Sequence, residues 1–207
     1  MPLDVDALLT PPTNTAARAL DVVRTWSSPA LVHHCLRSWV WATLLAPTID
    51  LEPDAELLFV ATMLHDLGVA PHFDAVTVPF EVAGGAVGSV FATGAGWPVA
   101  RATRVAEVIE RHMWLSVDPT RDVEGHLLEV ATSLDVSGVG MERWDEDDLR
   151  AVTAALPRQG FFDAFDGLVT DQAGRKPDSA AARLHRSGNV RLGGERWAGL
   201  LAGGTGN

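Results

Sequence analysis

Apolar residues recur along this chain at intervals of three and four, and no stretch alternates over a strand's length with β-branched enrichment. Ala16, Leu20, Val23 and Trp26 form a one-sided stripe, which predicts a helix capped by Thr13 or Asn14 behind the Pro11-Pro12 turn. Ser27, Ser28 and Pro29 break that pattern, and Pro29 suits the first turn of a second helix running to about Leu45. A third helix starts at Asp54. Its run Leu57-Leu58-Phe59-Val60, with Met63, Leu64 and Leu67, predicts near-complete burial, and Gly68 is a stop signal. Further helices are predicted from Val82 to Thr93, from Pro98 to the Glu110-Arg111-His112-Met113-Trp114 stretch, and from Asp122 or Val123 through Leu134. Others follow over Glu146 to Leu156, Phe161 to Ala173 and Ser179 to His185. From Ser187 onward the glycine-rich sequence predicts a loosely ordered tail, with Trp197 its one candidate for docking. The fold class is therefore all-α: a bundle of about eight helices in one domain over residues 1–186, followed by a tail over 187–207.

Composition narrows the partners. With 207 residues, 47% of them hydrophobic, the chain is long and apolar enough for a sizeable core. Its 16 Lys and Arg against 27 Asp and Glu give a net charge of −11, which repels nucleic acid and anionic membranes. The expected partner is a small molecule, with no nucleic acid and no membrane, and with a homodimer left open. A single cysteine, Cys35, forbids an intrachain disulfide and fits a reducing compartment. The acidic start lacks a signal peptide's basic region, and the apolar stretch from Ala30 to Pro47 is interrupted by His33, His34 and Arg37. A cytoplasmic location is expected. Without tyrosine, a Tyr-based acid or nucleophile is excluded.

The third helix ends in His65-Asp66, two polar groups in an apolar context that need hydrogen-bonding partners or a cation. Asp135 poses the same problem, because it follows Leu127, Leu128, Val130, Ala131 and Leu134. His34 projects from the second helix with Arg37 and Trp41 on neighbouring faces; alone it reads as a satisfied core histidine. The loop from Val69 to Pro79 carries His72 and Asp74 and is a natural place for substrate contacts or a lid. Gly84-Gly85 lies inside a helical segment without a P-loop pattern, and the later acidic runs match no EF-hand spacing. The glycines around position 84 allow close backbone packing.

His34, His65, Asp66 and Asp135 together are four nitrogen and oxygen ligands presented by three helices. Adjacent helical residues point about 100° apart, so His65 and Asp66 can share a cation only beside the helix end. Two histidines with two carboxylates suit one divalent ion: zinc, iron, manganese or cobalt, with zinc or iron favoured.

This ordered set, His34…His65-Asp66…Asp135, resembles the signature of the HD-domain superfamily of metal-dependent hydrolases. The segments His33 to Arg37, Leu57 to Gly68, Pro79 to Val82, Ser133 to Gly138 and Arg175-Lys176-Pro177 with Ser179 are similar to the cyanamide-hydratase-like branch. The resemblance covers about Ala30 to Ala182. It implies an HD-type helical bundle with His34, His65, Asp66 and Asp135 as ligands to one metal. It also implies a hydrolase or hydratase that activates water against a small substrate such as cyanamide or another nitrile. His112, Glu81 and Asp66 are then the candidate catalytic groups, His112 as acid and base or as a further ligand. Phe80, Trp114 and His72 are the candidate substrate contacts, and Arg37 is a structural partner of a carboxylate. The principal alternative is an HD-type phosphohydrolase acting on a nucleotide or another phosphomonoester. Val69 stands one turn beyond Asp66, where such enzymes typically carry a carboxylate, and Lys176 is the sole lysine. A third reading is a degenerate HD module used for binding.

Overall fold

Residues 3–203 are described in the computed structural model; residues 1, 2 and 204–207, the outer ends of the predicted domain and tail, lie outside them. The described residues form an all-helical bundle without strands. In chain order its α-helices are α1 (Val5–Leu8), α2 (Asn14–Trp26), α3 (Pro29–Thr48), α4 (Ala55–Leu64), α5 (Phe80–Gly94) and α6 (Val99–Arg111). They are followed by α7 (Val123–Ser137), α8 (Glu146–Ala155), α9 (Phe161–Arg175), α10 (Ala180–Ser187) and α11 (Asn189–Ala202). Short 3-10 turns, Leu67–Val69 and Met141–Arg143, follow α4 and α7. No helix of the described residues is long and apolar enough to cross a membrane.

Local chemistry accounts for most boundaries. The Thr13, Ser28, Asp54, Asp122 and Ser179 side chains each accept a backbone N–H at the start of a helix, and Gly138 ends α7 in the left-handed region at φ 66°. At the centre, α3 packs against both α4 and α7, and α4 is buried from Leu57 to Leu64. Its Phe59, Val60, Met63 and Leu64 join Val40, Trp41, Leu45, Leu127 and Leu134 in the main core. A second cluster, which includes Leu31, Val69, Phe80, Val136, Phe161 and Phe165, holds the other side of the α3–α7 pair.

Two glycines bring α5 against the end of α4. A Cβ at Gly68 would lie 1.9 Å from the Phe80 carbonyl oxygen, and one at Gly84 would lie 2.8 Å from that of His65. Gly68 in the turn and Gly84 on α5 are thus the contact points that seat α5 on the His65-Asp66 turn.

Among the described residues eleven α-helices stand against about eight expected; α1 and α11 are the two that no predicted span covers. The predicted loose tail is wrong over Asn189–Ala202, which is helical. Its glycines form a packing surface: a Cβ at Gly193 would lie 2.1 Å from the Val136 carbonyl oxygen. Trp197 docks as expected, only 1% exposed, with Nε1 donating to the Leu134 carbonyl at 3.2 Å. Trp197→Ala should therefore cost about 3–5 kcal/mol, the usual range for emptying a buried aromatic site, measured by urea unfolding. A loss under 1 kcal/mol would contradict the docking of α11.

Candidate metal centre

The site forms where α3, the end of α4 and α7 meet. His65 caps α4 and Asp66 opens the following 3-10 turn, so their side chains leave the chain just as its direction changes. His34 arrives from α3. All three are buried, and each offers a ligand atom within 4.8 Å of the others.

The hydrogen bonds decide which atoms are free. His34 Nδ1 lies 2.8 Å from Asp135 Oδ2, and His65 Nδ1 lies 2.7 Å from the Thr62 carbonyl oxygen. An acceptor on each Nδ1 calls for a proton there, which leaves each neutral ring with its Nε2 lone pair free. These two Nε2 atoms are 3.1 Å apart, and Asp66 Oδ2 lies 3.5 Å from one and 3.4 Å from the other. Asp66 Oδ2 is buried without a hydrogen-bond partner. Two nitrogens about 2.0–2.1 Å from one ion, at angles of 90–109°, are roughly 2.8–3.4 Å apart. The triangle of donors therefore fits a shared divalent ion, and the chemistry of two imidazoles and a carboxylate fits zinc or iron.

Electrostatics agree. Burial pushes His34 below its ordinary value. Burial opposes charge on His65 too, but the adjoining Asp66 carboxylate outweighs it and raises the imidazole pKa well above normal. Burial would likewise raise Asp66, yet His65 and then His34 and His112 hold it far below the carboxylate range. The three groups thus bind a positive charge between them, carried by a proton or by a metal.

Asp135 stands elsewhere than among the triad's ligand atoms. Its Oδ1 accepts from Arg37 Nε at 2.8 Å, Trp41 Nε1 at 3.1 Å and Arg158 Nη2 at 3.0 Å. Its Oδ2 accepts from Arg37 Nη2 at 2.8 Å and from His34 Nδ1. Burial alone would raise its pKa, but Arg158 and Arg37 hold it well below normal. The structure places the carboxylate behind His34, where it orients the imidazole. Arg37 is its structural partner, and Trp41, one face along α3, is another.

The remaining candidates divide. His112, which caps α6, donates from Nδ1 to the Ile109 carbonyl, and its Nε2 lies 3.8 Å from Asp66 Oδ1. Burial, with His65 nearby, lowers its pKa to about 3. A neutral imidazole with a free Nε2 thus borders the triad. His34, His65, Asp66 and His112 share a cavity of about 300 Å³ with Trp114, Glu129, Ser133 and Phe165. Phe80 lies outside the lining, behind His112, at 5.7 Å between rings. His34 stacks on Phe161 at 4.7 Å.

Glu81 and His72 do not line the cavity. Glu81 sits in the first turn of α5, buried, with Oε2 unpartnered and its pKa raised by burial. Arg183 and Lys176 are the cations acting on it. His72 is exposed and packs 4.8 Å from the Trp26 ring. The loop carrying it is fastened: Asp74 accepts from Gln172 at 2.8 Å, from Lys176 at 3.2 Å and from Arg175 at 2.5 Å. Sequence reasoning missed Arg158 and Glu129. Arg158 follows Pro157 in a turn whose left-handed Gln159 and Gly160 aim it inward, and no local pattern marks that. Glu129 is a mid-helix acid, indistinguishable in sequence from a solvated one.

The HD domain family model matches residues 31–135, which span every group in the triad and its Asp135 anchor. The chain is also similar to Cyanamide hydratase DDI2 and Cyanamide hydratase DDI3 of Saccharomyces cerevisiae. It is 30% identical to each over 183 residues, covering 83% of this chain and 78% of each relative.

Asp135→Asn should destabilise the protein by about 3–5 kcal/mol at pH 7, because two buried guanidiniums lose their counter-charge. The wild-type carboxyl is held below its unfolded value, so its contribution is complete above about pH 4 and is lost as pH falls below that range. Urea midpoints measured from pH 7 to 3 should therefore fall less steeply in the variant. Parallel curves would refute the role given to Asp135.

Proposed function

The chain belongs to the HD-domain family of metal-dependent hydrolases and hydratases, in its cyanamide-hydratase-like branch, and from that premise we propose that it hydrates a small nitrile-like substrate. The observation that carries the proposal is the convergence of His34 Nε2, His65 Nε2 and the unpartnered Asp66 Oδ2 on one cavity. These residues would hold one divalent ion, zinc or iron by their donor set. When bound, that ion supplies a water of lowered pKa and a charge that polarises the electrophile.

Hydration of a nitrile forms one C–O bond and breaks one C≡N π bond, so a proton must leave the water and another must reach the nitrogen. His112 is suited to this transfer: its Nδ1 is committed to a carbonyl, and its neutral Nε2 faces the cavity. Asp66 serves twice, with Oδ2 in the triad and Oδ1 toward His112. Phe161 stacked on His34 and Phe80 against His112 restrict both rings to these orientations.

Phosphomonoester hydrolysis is less well supported. Val69, one turn beyond Asp66, is buried and apolar, and Asp74 is committed to Arg175 and Lys176. That pairing also removes the sole lysine from any phosphate clamp. A degenerate binding module would have no use for a buried carboxylate oxygen left without a partner.

The purified protein should contain about one divalent ion per chain, lose thermal stability to chelator, and convert cyanamide to urea without releasing phosphate from nucleoside monophosphates. Phosphate release without hydration would overturn the proposal. His112→Gln should lower kcat by about 10²–10⁴ while the metal content, read by elemental analysis, stays unchanged. Loss of metal in that variant would make His112 a ligand instead.

A further inference from the structure

We propose that Glu129 forms a cation subsite in this cavity, so that the substrate is larger than cyanamide and carries an ammonium or similar group beyond a short apolar spacer. This inference rests on reading the cavity as the reaction site.

Size is the first argument. Cyanamide has three non-hydrogen atoms, whereas the cavity of about 300 Å³ has room for roughly ten waters at ~30 Å³ each. It reaches the range, about 300–1,000 Å³, of pockets that enclose far larger ligands. A three-atom substrate would leave most of it to water.

The second is the chemistry of the walls. Glu129 and Ser133 lie four residues apart on α7 and both line the cavity. Among the described residues, no hydrogen bond or ion pair reaches the Glu129 carboxylate. Burial raises its pKa to about 7, with only Arg143 lowering it. Such a carboxylate is ionised at a cost that a bound cation would relieve. The guanidinium of Arg183, which also lines the cavity, donates to the Met113 carbonyl at 2.5 Å. The lining also carries exposed apolar side chains: Trp114 is 56% exposed, Leu115 83% and Val139 51%. The net charge of −11 adds a long-range attraction for cations.

The third is spacing. Glu129 and Asp135, the anchor of the triad, are six residues apart on α7, roughly 9 Å along the helix axis. Glu129 and the triad groups His34, His65 and Asp66 line the same cavity from different elements, so one molecule within it can meet both.

The test uses the metal-loaded protein at pH 8. Calorimetric titration with n-butylammonium chloride, and with n-butanol as the uncharged control, reads the subsite without turnover. Wild type should bind the ammonium at least about tenfold tighter than the alcohol, and Glu129→Gln should abolish that preference. Equal affinity for the two probes in wild type, or an unchanged preference in Glu129→Gln, overturns the inference. A series of ω-aminoalkyl nitriles against alkyl nitriles of the same length then reads kcat/KM. The amino series should be favoured about tenfold, with the difference in KM and lost in Glu129→Gln. A Glu129-dependent ammonium preference in a protein that hydrates no nitrile would sustain the subsite and overturn only the proposed reaction. Cyanamide hydration without any ammonium preference would do the reverse.

Discussion

One buried carboxylate holds the architecture in register. Asp135 receives hydrogen bonds from His34, Arg37 and Trp41 on α3 and from Arg158 in the α8–α9 connection. An unpaired carboxylate at full burial is prohibitively costly, and so are two unpaired guanidiniums, so these groups are stable only together. Their mutual dependence sets how α3 lies on α7. It extends to the C-terminal helix, because the Arg158 guanidinium lies 3.9 Å over the Trp197 ring.

The functional geometry follows from that arrangement. Because Asp135 takes the Nδ1 side of His34, the opposite nitrogen faces His65, whose own Nδ1 is occupied by the Thr62 carbonyl. Two lone pairs at 3.1 Å beside an unpartnered carboxylate oxygen repel each other unless a positive charge lies between them. Preorganisation of this kind is what metal ligation needs, since the rings are oriented by the fold itself. The glycines at positions 68 and 84 extend the same precision to α5, which brings Phe80 behind His112.

Much of this was legible in the chain. Helical periodicity gave the all-α class, the cap of α2 is Thr13, one of the two residues the sequence offered, and α4 begins at the Asp54 boundary that was expected. The His65-Asp66 pair stood out because two polar groups closed an apolar helix, and His34, Arg37 and Trp41 fell on one side of α3. These signals are local: they depend on the order of residues within one or two turns.

Other features depend on residues far apart in sequence, and no local pattern carries them. The glycine-rich end of the chain reads as flexible until the Val136 backbone is seen to require the missing side chain at Gly193. The sequence around Asp135 gives no sign that Arg158, 23 residues later, lies on its carboxylate. Glu129, an ordinary helical acid in sequence, is exceptional only because it faces a cavity without a partner. The sequence by itself determined the helices and the residue types able to bind a cation, because periodicity and desolvation cost act through composition and near neighbours. Tertiary structure alone decided which oxygen stays free and which ring nitrogen faces it, because hydrogen-bond valences are filled by whatever the fold brings within 3 Å.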